Sequence, residues 1–275
     1  MSWLNIVILA IVQGLAELLP ISSSAHVIVA EKLMGMDPTK PENVLLLVML
    51  HTGTMFAVIL YFWQAWKASI FGSWEVFQQQ AIRLAIATAL SGAVAGPLLV
   101  AVKEVEKLFG NLALIAAALA AAGVLILIAG LTKRATDPNR PVGIREAAWI
   151  GAVQGLCIPF RGFSRSGATI STGMLLGSAK ARVEEFSFAL AVIITPAAIA
   201  WEGRRVIAYH HEVHGWGTTW SLFTPGLLGM FFAFLAGLVA LRWLSRWLEG
   251  GRWHLFGVYC LVAAAIVFSL HCTGY

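Results

Sequence analysis

Polar side chains interrupt a mostly apolar chain in two segments. The first is Gln13–His26, QGLAELLPISSSAH, and the second is Gln154–Thr172, QGLCIPFRGFSRSGATIST. In lipid, a polar group without a partner costs several kcal/mol, so such groups are rare there. Ionisable residues at membrane depth are therefore candidates for functional sites. These two segments, called motif 1 and motif 2 below, are where we expect the function to reside.

Short apolar stretches on both sides of each motif predict a broken pair of helices. They are Trp3–Leu19 and Ala25–Met34 around motif 1, and Ala147–Pro159 and Ser166–Leu176 around motif 2. Each stretch is shorter than the roughly 20 residues that cross a bilayer core. Backbone that is broken at membrane depth is tolerated only where protein or a water-filled cavity covers it. Each pair therefore predicts a re-entrant hairpin, spanning residues 3–34 and 147–176.

Longer apolar runs follow each hairpin, and between the halves lies a linker, 132–146, which is rich in charge and proline. The sequence thus predicts an all-α polytopic membrane protein with two halves, 1–131 and 147–275, each a re-entrant hairpin plus three transmembrane helices. An odd number of crossings per half inserts the second half upside down, as in inverted-repeat transporters. The predicted crossings are Val44–Trp63, Leu84–Val102 and Leu112–Leu131 in the first half, and Phe186–Trp201, Pro225–Leu244 and Leu255–His271 in the second.

Sequence similarity between the two motifs supports the repeat. Val12–Leu15, VQGL, recurs as Val153–Leu156, and Ser22–His26 aligns with Ser164–Ala168 when the second copy has one additional residue. The alternative is chance recurrence in a low-complexity apolar chain. The matching order of elements around both copies favours the repeat.

Composition agrees with a membrane protein. The chain has 275 residues, of which 59% are hydrophobic and 12% are charged, and its mean hydropathy is +0.80. A soluble domain would carry about 25% charged residues. The apolar runs are continuous, which argues against a membrane β-barrel. The net charge of +5 resides in loops, where it suits lipid headgroups and not nucleic acid.

Loop cations predict the orientation through the positive-inside rule. The face with the linker carries more of them and is predicted to be cytoplasmic, so motif 1 enters from the non-cytoplasmic side and motif 2 from the cytoplasm. The cations on the linker face are Lys67, Arg83, Lys133, Arg134, Arg140, Arg145, Lys180, Arg182, Arg242, Arg246 and Arg252, and those on the other face are Lys32, Lys40, Lys103, Lys107, Arg204 and Arg205.

Motif 1 combines a carboxylate, hydroxyls and an imidazole. Gln13 and Glu17 are one helical turn apart and share a face. The next helix begins at serines, which are favoured N-caps, and its free N–H groups suit an anion. For one serine simple capping is the better reading, and for Glu17 the alternative is a structural ion pair. The candidates here are Gln13, Glu17, Ser22, Ser23, Ser24 and His26.

Motif 2 offers a permanent cation in a glycine-containing turn. Arg165 can fork onto two phosphate oxygens, and Gly162 and Gly167 allow close approach of the backbone to a ligand. Arg161 is either a second phosphate contact or an arginine that snorkels to the headgroups. The other candidate binding residues are Ser164, Ser166, Gly167 and Thr169.

Together the motifs suit phosphoryl transfer, in which catalysis is mostly positioning and charge stabilisation. A nucleophile needs an adjacent base, and Ser23 or His26 with Glu17 nearby meets that need. His51 either lines the cavity or is a satisfied core histidine. A second cluster, His210, His211 and His214, has the composition of a metal site, but we expect a solvated loop there.

Both motifs, with LHTGTMFAVILYF and EEFSFALAV, resemble the undecaprenyl-diphosphate phosphatase family of the bacitracin-resistance type over essentially the whole chain. The resemblance implies an inner-membrane hydrolase that converts undecaprenyl diphosphate to the monophosphate and phosphate, recycling the carrier for cell-wall synthesis. It also implies an inverted-repeat fold, a site open to the periplasm, and a divalent cation, Mg²⁺ or Ca²⁺, bound with the diphosphate. A homodimer is compatible with it. The alternative is a membrane transporter or lipid-phosphate translocase, because broken helices and inverted repeats are common there.

Residue roles follow from the family motifs. Glu17 matches an acidic residue that serves as base or metal ligand, and Gln13 occupies a second position that is acidic in some members. Ser23 and His26 match the proposed nucleophile and its neighbour. The phosphate-binding segment is matched by Ser164, Arg165, Ser166 and Thr169. One departure is an added residue at Phe160–Arg161, which could bend the turn differently and bring Arg161 to the substrate.

Overall fold

The computed structural model describes residues 2–37, 41–101, 111–132, 137, 139–214 and 223–274. Within these ranges the regular structure is entirely helical. The helices are α1 Trp3–Leu18, α2 Ser23–Leu33, α3 Pro41–Ser69, α4 Trp74–Ala101, α5 Leu112–Leu131, α6 Ile144–Cys157, α7 Arg165–Leu175, α8 Lys180–His214, α9 Phe223–Glu249 and α10 Trp253–Cys272.

Among the described residues, six helices are long and apolar enough to cross a membrane. They are α3, α4, α5, α8, α9 and α10; each contains one of the predicted crossings, except that α4 covers Leu84–Ala101 of the crossing predicted to end at Val102. The hairpin helices α1, α2, α6 and α7 have only 16, 11, 14 and 11 residues, which is too short for a crossing. The predicted all-α polytopic membrane architecture is confirmed.

Several helix ends differ from the prediction. Helix α4 begins at Trp74 instead of Leu84, and α8 continues past Trp201. The loop predicted at His210, His211 and His214 is therefore wrong, because these residues are helical, although their side chains lie outside the described part. Apolar runs mark only the length inside lipid, whereas helical hydrogen bonds continue into the polar interface.

The linker region is partly described. Helix α6 begins at Ile144, inside the predicted linker 132–146, so that Ile144–Glu146 are helical. Glu146 accepts a hydrogen bond from Arg140 at 3.1 Å and places negative charge in the first turn of α6. Five of the cations that predict the orientation lie outside the described residues: Lys40, Lys103, Lys107, Lys133 and Arg134. Val102, the predicted end of one crossing, also lies outside them.

Small residues let the hairpins pack inside the bundle of crossing helices. A Cβ atom added at Gly14 of α1 would lie 2.6 Å from Ala236 Cβ of α9, and one added at Gly155 of α6 would lie 2.6 Å from the carbonyl oxygen of Ser91 in α4. At both glycines the absence of a side chain therefore lets the two helices approach closely. In the first break Leu19–Ser22 are buried, and in the second Pro159, Gly162 and Ser164 are buried, as is expected where backbone is broken at membrane depth.

Candidate active site

Glu17 is the centre of the candidate site. Its Oε1 accepts a hydrogen bond from Arg165 Nη2 at 2.9 Å, and its Oε2 accepts bonds from Gln13 Nε2 at 3.1 Å and from the Ser23 hydroxyl. His51 Nε2 lies 3.5 Å from the same Oε2. Motif 1 and motif 2 therefore meet at one carboxylate, and His51 lines the site.

The turn between α1 and α2 brings Ser23 back to Glu17. Helix α1 ends at Leu18, before Pro20. Among the described residues, Ser22 is the one non-glycine residue with positive φ, at 67°, a conformation that costs of order 1–3 kcal/mol and persists only where its surroundings enforce it. Because the chain reverses direction at Ser22, α2 begins at Ser23, and the Ser23 hydroxyl lies against the Glu17 carboxylate.

The second hairpin directly contacts the turn between α1 and α2. Ser166 Oγ donates to the carbonyl oxygen of Leu19 at 3.2 Å. The Ser164 hydroxyl accepts a bond from the Gly167 amide at 3.2 Å and so caps α7. At Gly162, φ is 103°, and a side chain there would collide with the Ile115 carbonyl oxygen, 2.5 Å from the added Cβ. Glycine is therefore required at the turn that carries Arg165.

His26 is bound on both ring nitrogens. Nδ1 lies 2.7 Å from the Ser22 carbonyl oxygen, which can only accept, so Nδ1 carries the proton. Nε2 lies 2.7 Å from the Tyr259 hydroxyl of α10, and the two rings stack with centroids 5.7 Å apart. Tyr259 is not among the residues predicted from the motifs, because it stands 233 residues from His26 in an ordinary apolar run.

Other predicted residues have partners outside the Glu17 cluster. The Thr169 hydroxyl shares a 2.6 Å hydrogen bond with Ser187 of α8. Arg161 interacts electrostatically with Glu31 of α2, which is buried. Ser24 Oγ lies 3.3 Å from Ser22 Oγ. The structure thus joins Gln13, Ser23 and Arg165 at Glu17, places Ser166 on the Leu19 carbonyl oxygen, and gives His26, Thr169 and Arg161 other contacts.

Two buried polar atoms of the site have no hydrogen-bond partner among the described residues. They are Arg165 Nη1, a donor, and Gln13 Oε1, an acceptor. Buried polar atoms are nearly always paired in folded proteins. The Arg165 and Glu17 side chains are 25% and 15% exposed, so solvent reaches the ion pair, while Nη1 and Gln13 Oε1 lie beneath it. A negatively charged ligand would supply the acceptor that Nη1 lacks.

Oxygen ligands for a cation are few at this site. No group of three or more His, Cys, Asp or Glu side chains suited to a metal occurs in the described part of the chain. The Glu17 carboxylate and the unpartnered Gln13 Oε1 are the kinds of oxygen that Mg²⁺ and Ca²⁺ prefer. These residues fit a cation that takes its remaining ligands from a bound diphosphate.

The glutamine of motif 2 has a different environment from that of motif 1. Gln154 Nε2 donates to Ser91 Oγ of α4 at 3.1 Å, and that hydroxyl lies 2.9 Å from the Gly151 carbonyl oxygen. Both residues are buried. Gln154 therefore links α6 to α4 and takes no part in the Glu17 cluster.

Comparison with known proteins gives one consistent result. The model of the bacitracin resistance protein BacA family matches residues 6–266. Undecaprenyl-diphosphatase 2 of Acinetobacter baylyi is 53% identical, over 98% of both chains. The undecaprenyl-diphosphatases of Rhodopirellula baltica and Christiangramia forsetii are 32% and 30% identical, over 98% of this chain and 98% and 99% of their own. The chain belongs to the bacitracin resistance protein BacA family.

Proposed function

We propose that this protein is an undecaprenyl-diphosphatase, which hydrolyses undecaprenyl diphosphate to undecaprenyl phosphate and inorganic phosphate. Full-length relatives carry that name. The observation that carries the proposal is the convergence of Arg165, Glu17 and Ser23, with one buried guanidinium nitrogen still unpaired. A cation, a base and a hydroxyl at one point suit phosphoryl transfer.

Arg165 would bind the terminal phosphate. Its Nη2 is fixed on Glu17, so the guanidinium cannot swing away, and its Nη1 is free to donate to a phosphate oxygen. The start of α7 adds backbone N–H groups, and a helix N-terminus favours negative charge. The Ser166 hydroxyl, at the start of α7, donates to the Leu19 carbonyl oxygen and so ties the turn of motif 1 to the helix that carries Arg165.

Ser23 is the better nucleophile of the two candidates. Its hydroxyl already donates to Glu17, whereas the Nε2 lone pair of His26 is engaged by Tyr259. In the proposed step, Ser23 Oγ attacks the terminal phosphorus as its proton passes to Glu17, and the bond from phosphorus to the bridging oxygen breaks. Undecaprenyl phosphate leaves with the proton that Glu17 had accepted, which restores the carboxylate. Glu17 then removes a proton from water as the water oxygen attacks the phosphoserine. The bond from phosphorus to Ser23 Oγ breaks, Glu17 returns the proton to that oxygen, and phosphate is released.

A divalent cation, Mg²⁺ or Ca²⁺, would neutralise charge on the diphosphate, and Glu17 with Gln13 Oε1 are the residues that would contact it. The proposal is supported by the unpartnered Gln13 Oε1 beside the carboxylate. We expect a chelator to abolish phosphate release and added Mg²⁺ to restore it. Full activity of dialysed protein in the chelator would contradict a cation requirement.

The inverted repeat is proposed with the predicted halves, 1–131 and 147–275, and the linker 132–146. Support comes from the exchange of partners between halves: α1 packs on α9, and its counterpart α6 packs on α4. Helices α5 and α10, which are the last of each half, pack on each other through Gly123 and Gly257. A twofold relation between the halves would produce this pattern.

We further propose that the protein lies in the bacterial inner membrane with its site facing the periplasm. The test uses Leu33→Cys, at the end of α2, and Phe71→Cys, between α3 and α4, in a chain without its native cysteines. Both positions are exposed. A membrane-impermeant maleimide added to cells with permeable outer membranes should label the first and spare the second. The reverse pattern would overturn the orientation. Light scattering of the solubilised protein distinguishes a monomer from the homodimer that the family resemblance allows.

The function itself is tested with purified protein in detergent. Phosphate release from undecaprenyl diphosphate is measured for the wild type and for Arg165→Ala and Glu17→Ala, with folding checked by gel filtration. A phosphatase releases phosphate without a second compartment, whereas a transporter or translocase does not. No release by the wild type, or near-normal release by either folded variant, would contradict the proposal.

A further inference from the structure

A chain of contacts runs from the last helix to the residue before Ser23. The Tyr259 hydroxyl of α10 is 2.7 Å from His26 Nε2, and His26 Nδ1 is 2.7 Å from the Ser22 carbonyl oxygen. Because Nδ1 must donate to that carbonyl, Nε2 of the neutral ring has only a lone pair to offer. The Tyr259 hydroxyl therefore donates to it, and the tyrosine fixes both the tautomer and the orientation of the imidazole.

Ser22 needs such support because of its backbone. Its φ of 67° is unusual for a residue with a side chain, and its own side chain makes no hydrogen bond that caps α2. Strained residues persist where the surrounding structure over-determines them. The bond from His26 to the Ser22 carbonyl is one such constraint, and it acts on the peptide group that joins Ser22 to Ser23.

The two hairpins secure their second helices differently. In α7, Gly167 lies against Ile126 of α5, so that an added Cβ would be 2.6 Å from that side chain. In the corresponding region of motif 1, α10 is joined through the Tyr259–His26 pair and a 3.4 Å contact of Cys260 Sγ with the Pro20 carbonyl oxygen. Two side-chain contacts from α10 therefore reach the first hairpin, one at His26 and one at the turn.

We propose that Tyr259 is a positioning residue for the reaction: through His26 and the Ser22 carbonyl, it holds the turn that places the Ser23 hydroxyl on Glu17. This inference rests on the proposed function, since it assigns Ser23 as the nucleophile. Among the described residues, no hydrogen bond joins Tyr259 to Glu17, Ser23 or Arg165. Its effect is transmitted by His26 alone.

The test variant is Tyr259→Phe, which keeps the stacked ring and removes the hydroxyl. Loss of one neutral hydrogen bond predicts a fall in kcat of about threefold to tenfold with KM unchanged. Tyr61→Phe is the matched control, because it removes the same hydroxyl from α3, where the ring packs on Phe62. We expect the control to keep wild-type kcat.

A double-mutant cycle identifies the route. If Tyr259 acts through His26, Tyr259→Phe causes no further loss of kcat in a His26→Ala background. A wild-type kcat for Tyr259→Phe, or an equal loss in both backgrounds, would overturn the inference while leaving the proposed function intact.

Hydrogen exchange supplies a readout that does not depend on turnover. Amides of residues 21–26 should exchange faster in Tyr259→Phe than in the wild type and in Tyr61→Phe, because the turn has lost a constraint. Unchanged exchange would overturn the inference. If the wild-type protein releases no phosphate, the proposed function fails, and this measurement still decides whether Tyr259 holds the turn.

Discussion

The two hairpins share a motif and use it differently. Gln13 and Gln154 each precede a glycine that packs tightly on a crossing helix, yet Gln13 donates to Glu17 and Gln154 donates to Ser91. Four residues beyond the glutamine, motif 1 has Glu17 and motif 2 has Ile158, which is 41% exposed. The glycine contact is common to both hairpins because packing requires it in both. The chemistry is divided, with the carboxylate on one hairpin and the cation on the other.

Replacing the carboxylate of motif 1 should have the largest effect. Glu17→Gln keeps the shape of the side chain but cannot accept the Ser23 proton, so we expect kcat to fall on the order of 10³-fold. Glu146→Gln is the matched control, because Glu146 is a carboxylate of the second hairpin that also pairs with an arginine. Phosphate release in detergent measures both. A loss of less than about tenfold in Glu17→Gln would mean that the carboxylate is not the base.

Exchanging the cation of motif 2 should cost somewhat less. Arg165→Lys retains the charge but loses the planar guanidinium, whose two terminal nitrogens can contact Glu17 and a phosphate oxygen together. We therefore expect kcat to fall about 10²-fold. Arg140→Lys is the control, since Arg140 pairs with Glu146 away from the cluster. If Arg165→Lys were as active as the wild type, charge alone would suffice, and the geometry of the guanidinium would be irrelevant.

The two glutamines should separate activity from stability. Gln13→Ala should lower kcat about tenfold, because Glu17 loses one of its hydrogen-bond donors. Gln154→Ala should keep wild-type kcat but lower the free energy of unfolding by about 1–3 kcal/mol, as expected when a buried hydrogen bond is lost. Turnover and thermal unfolding of both variants in detergent make the comparison. If both variants lost turnover, or if both lost only stability, the two glutamines would not have the different roles described here.

The two glycines should behave alike and affect turnover least. Gly14→Ala and Gly155→Ala each place a Cβ about 2.6 Å from a neighbouring atom, and such overpacking destabilises by about 1–3 kcal/mol. The midpoint of thermal unfolding should fall by a similar amount in both variants, with turnover at low temperature nearly intact. Tolerance of alanine at one position only would show that the hairpins are packed less similarly than their contacts indicate.

Much of the fold was predictable because the length of an apolar run indicates whether the segment can cross a bilayer. The hairpins, the crossings and the meeting of Glu17 with Arg165 followed from motifs whose polar groups need one another. Three contacts were not predictable: Tyr259 with His26, Ser187 with Thr169, and Glu31 with Arg161. Each depends on how helices from distant parts of the chain are rotated, and no local pattern records that rotation.

His51 illustrates the same limit. Its sequence context left two readings, a cavity residue or a satisfied core histidine, and it has features of both. Nδ1 donates to the Leu47 carbonyl oxygen at 2.8 Å within α3, while Nε2 lies beside Glu17. Helix ends were misjudged for a simpler reason, since polar interface residues such as Glu75 continue α4 beyond its lipid-facing part.

The packing of Gly14 against Ala233 and Ala236 also constrains how the protein is made. Its partner helix α9 begins at Phe223, so a ribosome that adds about 5–20 residues per second needs on the order of ten to forty seconds to supply it. Early in that interval the nascent amino-terminal hairpin has neither Arg165 nor α9, and an unpaired carboxylate is costly in the bilayer interior. We therefore expect the hairpin to reach its final depth late, after its partners in the carboxy-terminal half have been made.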